Sequence, residues 1–144
     1  MPTPTLRARA LGLLARREYA RSELQRKLAP GARGADDLDA LLDDLERQGW
    51  LSEERVMESL LRRRAPRHGV LRLREELRDK GISAPQIDAA LETLHATEYD
   101  RALAVWQRKF GEPATTPQET ARQARFLAAR GFASEVVARI VRGR

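Results

Sequence analysis

The chain has 144 residues, a formal net charge of +6, and 33% charged against 5% aromatic side chains. It has no cysteine, which excludes a disulfide scaffold and cysteine-ligated metal, and it has no apolar run long enough for a bilayer span or a signal peptide. Ala, Leu, Arg and the acidic residues dominate over β-branched ones, so the composition predicts an all-α protein, soluble and cytoplasmic, with no membrane partner.

At the amino terminus Thr3 reads as an N-cap and Pro4 as the first helical position, followed by Leu6, Ala10, Leu13 and Leu14 at helical spacing. Local pattern alone would carry this helix on to Leu28. A repeat argues for a break near Tyr19 instead. Leu24, Leu28, Leu38, Leu41, Leu42 and Leu45 recur 49 positions later as Leu73, Leu77, Ile87, Ala90, Leu91 and Leu94. In that register Arg17 to Ala20 matches Pro66 to Gly69, a stretch that interrupts a helix. A loop from Pro30 to Gly34 follows. Asp36 or Asp37 then caps a helix carrying Leu38, Leu41, Leu42 and Leu45 on one face. Gly49 stops it, with Trp50 placed to fold back on the last turn.

Ser52 opens the next helix, with Glu53 and Glu54 in its first turn and Val56, Met57, Leu60 and Leu61 on its apolar face. Pro66 ends it. Gly69 releases the chain into a helix bearing Val70, Leu73 and Leu77, which Gly81 and Ile82 close. Ser83 to Gln86 reads as a capping box for the helix of Ile87, Ala90, Leu91 and Leu94.

A third copy begins near Thr97. Leu77, Gly81, Ile82, Ile87, Ala90 and Leu91 recur 50 positions on as Leu127, Gly131, Phe132, Val137, Ile140 and Val141. Its helices carry Tyr99, Leu103, Trp106 and Phe110, then start again at Thr116-Pro117-Gln118-Glu119, and Ser134 reads as the cap of the last one. The expectation is three tandem three-helix repeats, residues 1–51, 52–96 and 97–144, with nine helices in all.

Charge is distributed in blocks. Residues 1–34, 55–80 and 101–144 are basic, and residues 35–54 and 81–100 are acidic. Arg62, Arg63, Arg64, Arg67, Arg72 and Arg74 form the densest basic cluster, and Arg16, Arg17 and Arg21 a weaker one. Either could grip phosphates or an acidic protein surface, or be a solvated helix face. Asp36, Asp37, Asp39, Asp43, Asp44 and Glu46 lack the glycine-turned loop of calcium sites and read as a solvated or protein-docking face. His68 and His95 have no zinc-type spacing, and Gly31-Ala32-Arg33-Gly34 lacks the lysine and hydroxyl of a P-loop. Trp50, Trp106, Phe110, Phe126 and Phe132 sit at core or helix-stop spacing, which favours packing over base stacking. No catalytic residue, cofactor or metal ligand is predicted, so the chain reads as a non-enzyme.

Gly69-Val70-Leu71-Arg72-Leu73-Arg74-Glu75-Glu76-Leu77 followed by Lys80-Gly81-Ile82 resembles the most characteristic segment of the RecX family. Leu13 to Tyr19 leading to Glu23-Leu24 and Lys27-Leu28 is similar to that family's opening segment, and Gly49 to Arg55 leading into Arg62 to Arg64 to its next. The likeness extends to Ala128-Ala129-Arg130-Gly131-Phe132 and covers almost the whole chain. It implies an elongated, curved molecule of three tandem three-helix repeats, a monomer that lodges in the groove of the RecA filament on single-stranded DNA. There it would inhibit or modulate filament assembly, ATP hydrolysis, strand exchange and coprotease activity in the SOS response. The resemblance also tilts the nine arginines towards partner contact, with the RecA filament or DNA. The alternative is a direct DNA-binding protein with basic helix-turn-helix-like units. Where the family often has serine this chain has Ala20, which removes a capping box with Glu23 at about 1 kcal/mol.

Overall fold

Thr5 caps the first helix: its Oγ1 accepts the Ala8 N–H at 3.0 Å, and α1 runs Leu6–Leu14. The computed structural model describes residues 4–143, the Asp36 side chain excepted. The cap expected at Thr3 lies outside those residues, and Pro4 stands ahead of the helix rather than in it. The chain leaves helix between Ala15 and Ala20, as the repeat requires, and α2 spans Arg21–Leu28. Half of the lost capping box survives. Glu23 still accepts the Ala20 N–H at 2.9 Å, while the Ala20 methyl offers nothing in return.

A single 3-10 turn, Ala29–Gly31, leads to α3, Ala35–Arg47. Its N-cap is Gly34 rather than Asp36 or Asp37, because the helix begins ahead of the acidic pair and has no side-chain cap. At its end Gly49 takes φ +82° and the Trp50 N–H bonds the Leu45 carbonyl at 2.9 Å. The indole does not follow. Trp50 is 47% exposed, and Leu51, at 4%, fills the place beside the last turn. Ala10, Tyr19, Leu24, Leu28, Leu38, Leu42, Leu45 and Leu51 form the core of the first compact unit, Met1–Ser59.

The second compact unit is Leu60–Arg144. The division falls within α4, Glu53–Arg64, which Ser52 caps through the Arg55 N–H. Beyond it come α5, Val70–Asp79, α6, Ala84–Lys109, α7, Pro117–Ala129, and α8, Ser134–Val141. Repeat positions are buried alike. Leu73, Leu77, Ile87 and Leu91 are as enclosed here as Leu24, Leu28, Leu38 and Leu42 are in the first unit. Each such leucine contributes about 1.5–3 kcal/mol.

Among the described residues there are eight α-helices, not nine. The helix expected to end after Leu94 and the one expected to begin near Thr97 are one 26-residue helix, α6. No glycine or proline lies between Gln86 and Lys109 to break it. α5 packs against it; Ala102 and Val105 of its second half join Leu127, Phe132, Val137 and Ile140 in one core. Three three-helix repeats therefore share eight helices. The Ser83 box does not close either: its hydroxyl bonds the Gln86 side chain at 2.9 Å, with no bond to the helix backbone. Thr116 does cap α7, accepting the Glu119 N–H at 3.1 Å, but Glu119 reaches back to Thr115.

The boundary region that local signals miss is built on Glu98. This side chain is 2% exposed. Its Oε1 accepts the Val70 N–H at the start of α5, and its Oε2 the Ala133 N–H at the start of α8, both at 2.8 Å. One carboxylate thus caps two helices, and α8 begins at Ser134 with Ala133 as N-cap. Arg101, one turn on, pairs with Glu98 at 3.6 Å and donates to the carbonyls of Ala65, His68 and Leu94 at 2.6–2.9 Å. Burial draws this guanidinium below its ordinary value, with Glu98 acting in the opposite sense.

Backbones meet beside this pair. The Gly69 N–H bonds the Arg130 carbonyl at 2.8 Å and the Leu71 N–H the Gly131 carbonyl at 3.1 Å. A Cβ on Gly69 would strike the Gly131 backbone, and one on Gly131, at φ +89°, would strike Arg72. His68 closes the knot. Its ring is buried with Nδ1 3.1 Å from the Arg64 carbonyl, and burial holds its pKa below 6.5.

Glu98→Ala leaves two helix starts unsatisfied and Arg101 without its carboxylate, so urea unfolding should report a loss of about 3 kcal/mol; a loss under about 1 kcal/mol would refute the capping role. For His68, the unfolded state takes up the proton first as pH falls through 6.5. Stability should be level above that pH and decline between it and about pH 5, before ordinary carboxylates titrate. His68→Gln should flatten this decline; an unaltered slope would show that another group causes it.

Candidate partner-binding surface

In the first unit, Arg16 is exposed and lines a shallow recess with Arg9 and Lys27. Arg17 is committed locally. Its guanidinium lies 3.7 Å from the Tyr19 ring centroid, and it reaches Glu23 at 3.7 Å. Arg21 lies between Asp39, Asp43 and Glu46 of α3, and hydrogen bonding to Glu46 is the main cause of its raised pKa. Arg7 and Arg47 take Asp44 in the same way, which draws that carboxyl below its usual range. The acidic face of α3 is thus largely answered within the unit.

In the second unit the six clustered arginines divide. Arg64 makes a two-pronged bond to Glu76, Nε at 3.0 Å and Nη2 at 2.6 Å, and Arg72 reaches the same carboxylate at 3.2 Å. The Arg64 guanidinium holds the Glu76 carboxyl below its ordinary value and is itself raised. Arg74 pairs with Asp88. Arg62, Arg63 and Arg67 are exposed, and Arg62 and Arg67 have no ion-pair partner among the described residues. The cluster read from the sequence as one patch therefore divides: Arg64, Arg72 and Arg74 are tied to carboxylates, Arg72 while still exposed, and Arg62 and Arg67 are not.

A second set of cations was not singled out from the sequence. Arg130 and Lys109 lie 5.0 and 5.3 Å from the centroid of Phe126, which packs edge-on against Phe110 at 5.5 Å. Arg139 lies 4.2 Å from the Tyr99 centroid. An aromatic face positions a cation without cancelling its charge, whereas a carboxylate does both. These three keep full charge at fixed places. The signal available in the sequence was the surplus of nine basic over three acidic residues in 101–144.

Among the described residues no group of His, Cys, Asp and Glu could hold a metal ion, and His95 stands exposed by itself. Among the described residues no helix is long and apolar enough to cross a membrane. Trp106 donates its indole N–H to Gln123 at 2.9 Å, and Phe132 is fully enclosed, so both serve packing.

A family model described as RecX, second three-helix domain, matches residues 52–91, and one described as RecX, third three-helix domain, matches residues 96–141. The chain is similar to the "Regulatory protein RecX" of Leptothrix cholodnii, 49% identical over 98% of this chain and 90% of the relative. It is 48% identical to the protein of that name from Ralstonia nicotianae, over 96% of this chain and 87% of the relative. Among solved structures, RecX from Lactobacillus salivarius superposes with a TM-score of 0.79 at 16% identity, over 95% of this chain and 92% of that one. At that identity the likeness speaks to the fold alone.

The two classes of arginine should separate on unfolding. Arg64→Ala should lower stability by about 1 kcal/mol, and Arg62→Ala should change it by less than about 0.5 kcal/mol in the same urea titration. Equal losses would mean that Arg62 also has a structural role.

Proposed function

The chain belongs to the RecX family, and from that membership we propose that it is a non-enzymatic regulator that binds the RecA nucleoprotein filament and restrains its assembly and ATP hydrolysis. The observation that carries this reading is relatedness over 98% of the chain to a protein named "Regulatory protein RecX". The geometry supports it in kind: outward cations on rigid helices suit contact with a large anionic or mixed-charge assembly. Arg62 and Arg67 are the contacts of choice, because their charge is not answered inside the fold. A regulator of this kind acts by binding one filament conformation better than another, which shifts the population of active filament without any bond chemistry.

A second reading, direct binding to DNA, draws support from Lys109, Arg130 and Arg139, whose charge stays uncancelled on their aromatic supports. Salt separates the two. Binding to naked DNA should weaken steeply with salt, with a slope set by the number of phosphates contacted. Filament regulation should persist at salt where naked DNA is released.

At such salt, the protein should suppress RecA-filament ATP hydrolysis at well below one molecule per RecA protomer. Arg62→Glu with Arg67→Glu should raise the concentration needed by about tenfold or more, equivalent to about 1.4 kcal/mol, with helical circular dichroism unchanged. Hydrolysis indifferent to the wild-type protein would overturn the proposal; full potency of the folded double variant would remove these arginines from the interface.

A further inference from the structure

Between α5 and the end of α7 lies a groove of about 420 Å³. Its chemistry is opposite to that of the basic surfaces. Leu71 on its wall is 57% exposed, one of two large hydrophobic side chains so exposed among the described residues. Ala128 and Ala129 line it with methyl groups. Glu75, Glu76 and Asp79 line it with carboxylates, and Arg72 with a guanidinium already committed to Glu76 and to the Ala129 carbonyl. Glu76 is answered by Arg64 and Arg72, but Glu75 and Asp79 are exposed and have no ion pair among the described residues. The carboxyl end of α7, the negative pole of that helix, also borders the groove.

In a chain of net charge +6, an acidic groove with an aliphatic bed selects against nucleic acid. It matches a side chain with an apolar stem and a cationic head. We propose that this groove receives a lysine or arginine side chain of the RecA filament, stem against Leu71 and Ala128, head between Glu75 and Asp79. The proposal rests on the filament-binding reading above and adds a protein-recognising site to it. Charge complementarity carries the choice of occupant: a second copy of the chain could offer such a residue too, and the test includes that outcome.

Glu75→Lys with Asp79→Lys, and separately Leu71→Ser, alter exposed side chains and should leave the circular dichroism unchanged. Each should weaken binding to preassembled RecA filaments on single-stranded DNA by about tenfold. Glu92→Lys with Glu112→Lys, an equal charge change outside the groove, should leave binding within about twofold, the scatter expected of exposed substitutions. Because the chain has no cysteine, Ala129→Cys gives a single attachment point at the rim for a benzophenone photo-cross-linker. The label should capture a RecA peptide containing lysine or arginine. Wild-type protein that fails to bind filaments would overturn the filament reading and this one together. Filament binding that the groove variants leave intact, or capture of DNA or a second copy instead of RecA, would overturn the groove assignment alone.

Discussion

A single carboxylate organises the second compact unit. Glu98 is buried, and an ionised group in that position is tolerated only when its oxygens are fully answered. Two backbone N–H groups at helix starts answer them, each at the positive pole of a helix, and Arg101 stands beside them. Arg101 then gathers the carbonyls of Ala65, His68 and Leu94, so donors and acceptors from three stretches of chain close on one pair of side chains. The rest follows from that closure. With α5 and α8 both starting at one carboxylate, the turns at Gly69 and Gly131 run within backbone contact of each other, and neither has room for a side chain.

The parts of this fold that are periodic were legible in the sequence. Leu28, Leu77 and Leu127 are each wholly enclosed, as a 49- or 50-residue recurrence of apolar positions requires. The stops at Gly49, Gly81 and Gly131 were equally plain, since a glycine after an apolar turn has one common use. Caps were read less well. Thr5 won over Thr3, Gly34 over the aspartates, and α8 takes its cap from a residue 35 positions away. A local reading looks for an oxygen on the preceding residue, so a glutamate on another helix is invisible to it. The same blindness split α6 in two: the third copy was expected to begin near Thr97, and nothing nearby revealed that Glu98 was wanted inside.

The candidate surface was legible only as charge, not as charge free to act. Counting arginines along residues 62–74 cannot tell that Arg64 and Arg74 meet carboxylates 12 and 14 residues away. Nor can it tell that Lys109 and Arg130 converge on one phenyl ring. Pairing decides what a cation can do. One that is bound to a carboxylate holds the fold, and one that rests on a ring or in water is available to a partner. The result is a surface with cationic places on α4 and the third repeat and an acidic, aliphatic groove between α5 and α7. Such alternation gives register to a docking event, because a shifted partner would meet like charge.

The continuity of α6 separates the unit of duplication from the unit of folding. A chain cut after residue 96 would keep two complete leucine patterns, yet it would forfeit Glu98 and Arg101. The Val70 amide and the carbonyls of Ala65, His68 and Leu94 would then be orphaned. The middle triplet therefore borrows its keystone from its successor, and the two can be neither shuffled nor trimmed as separate cassettes.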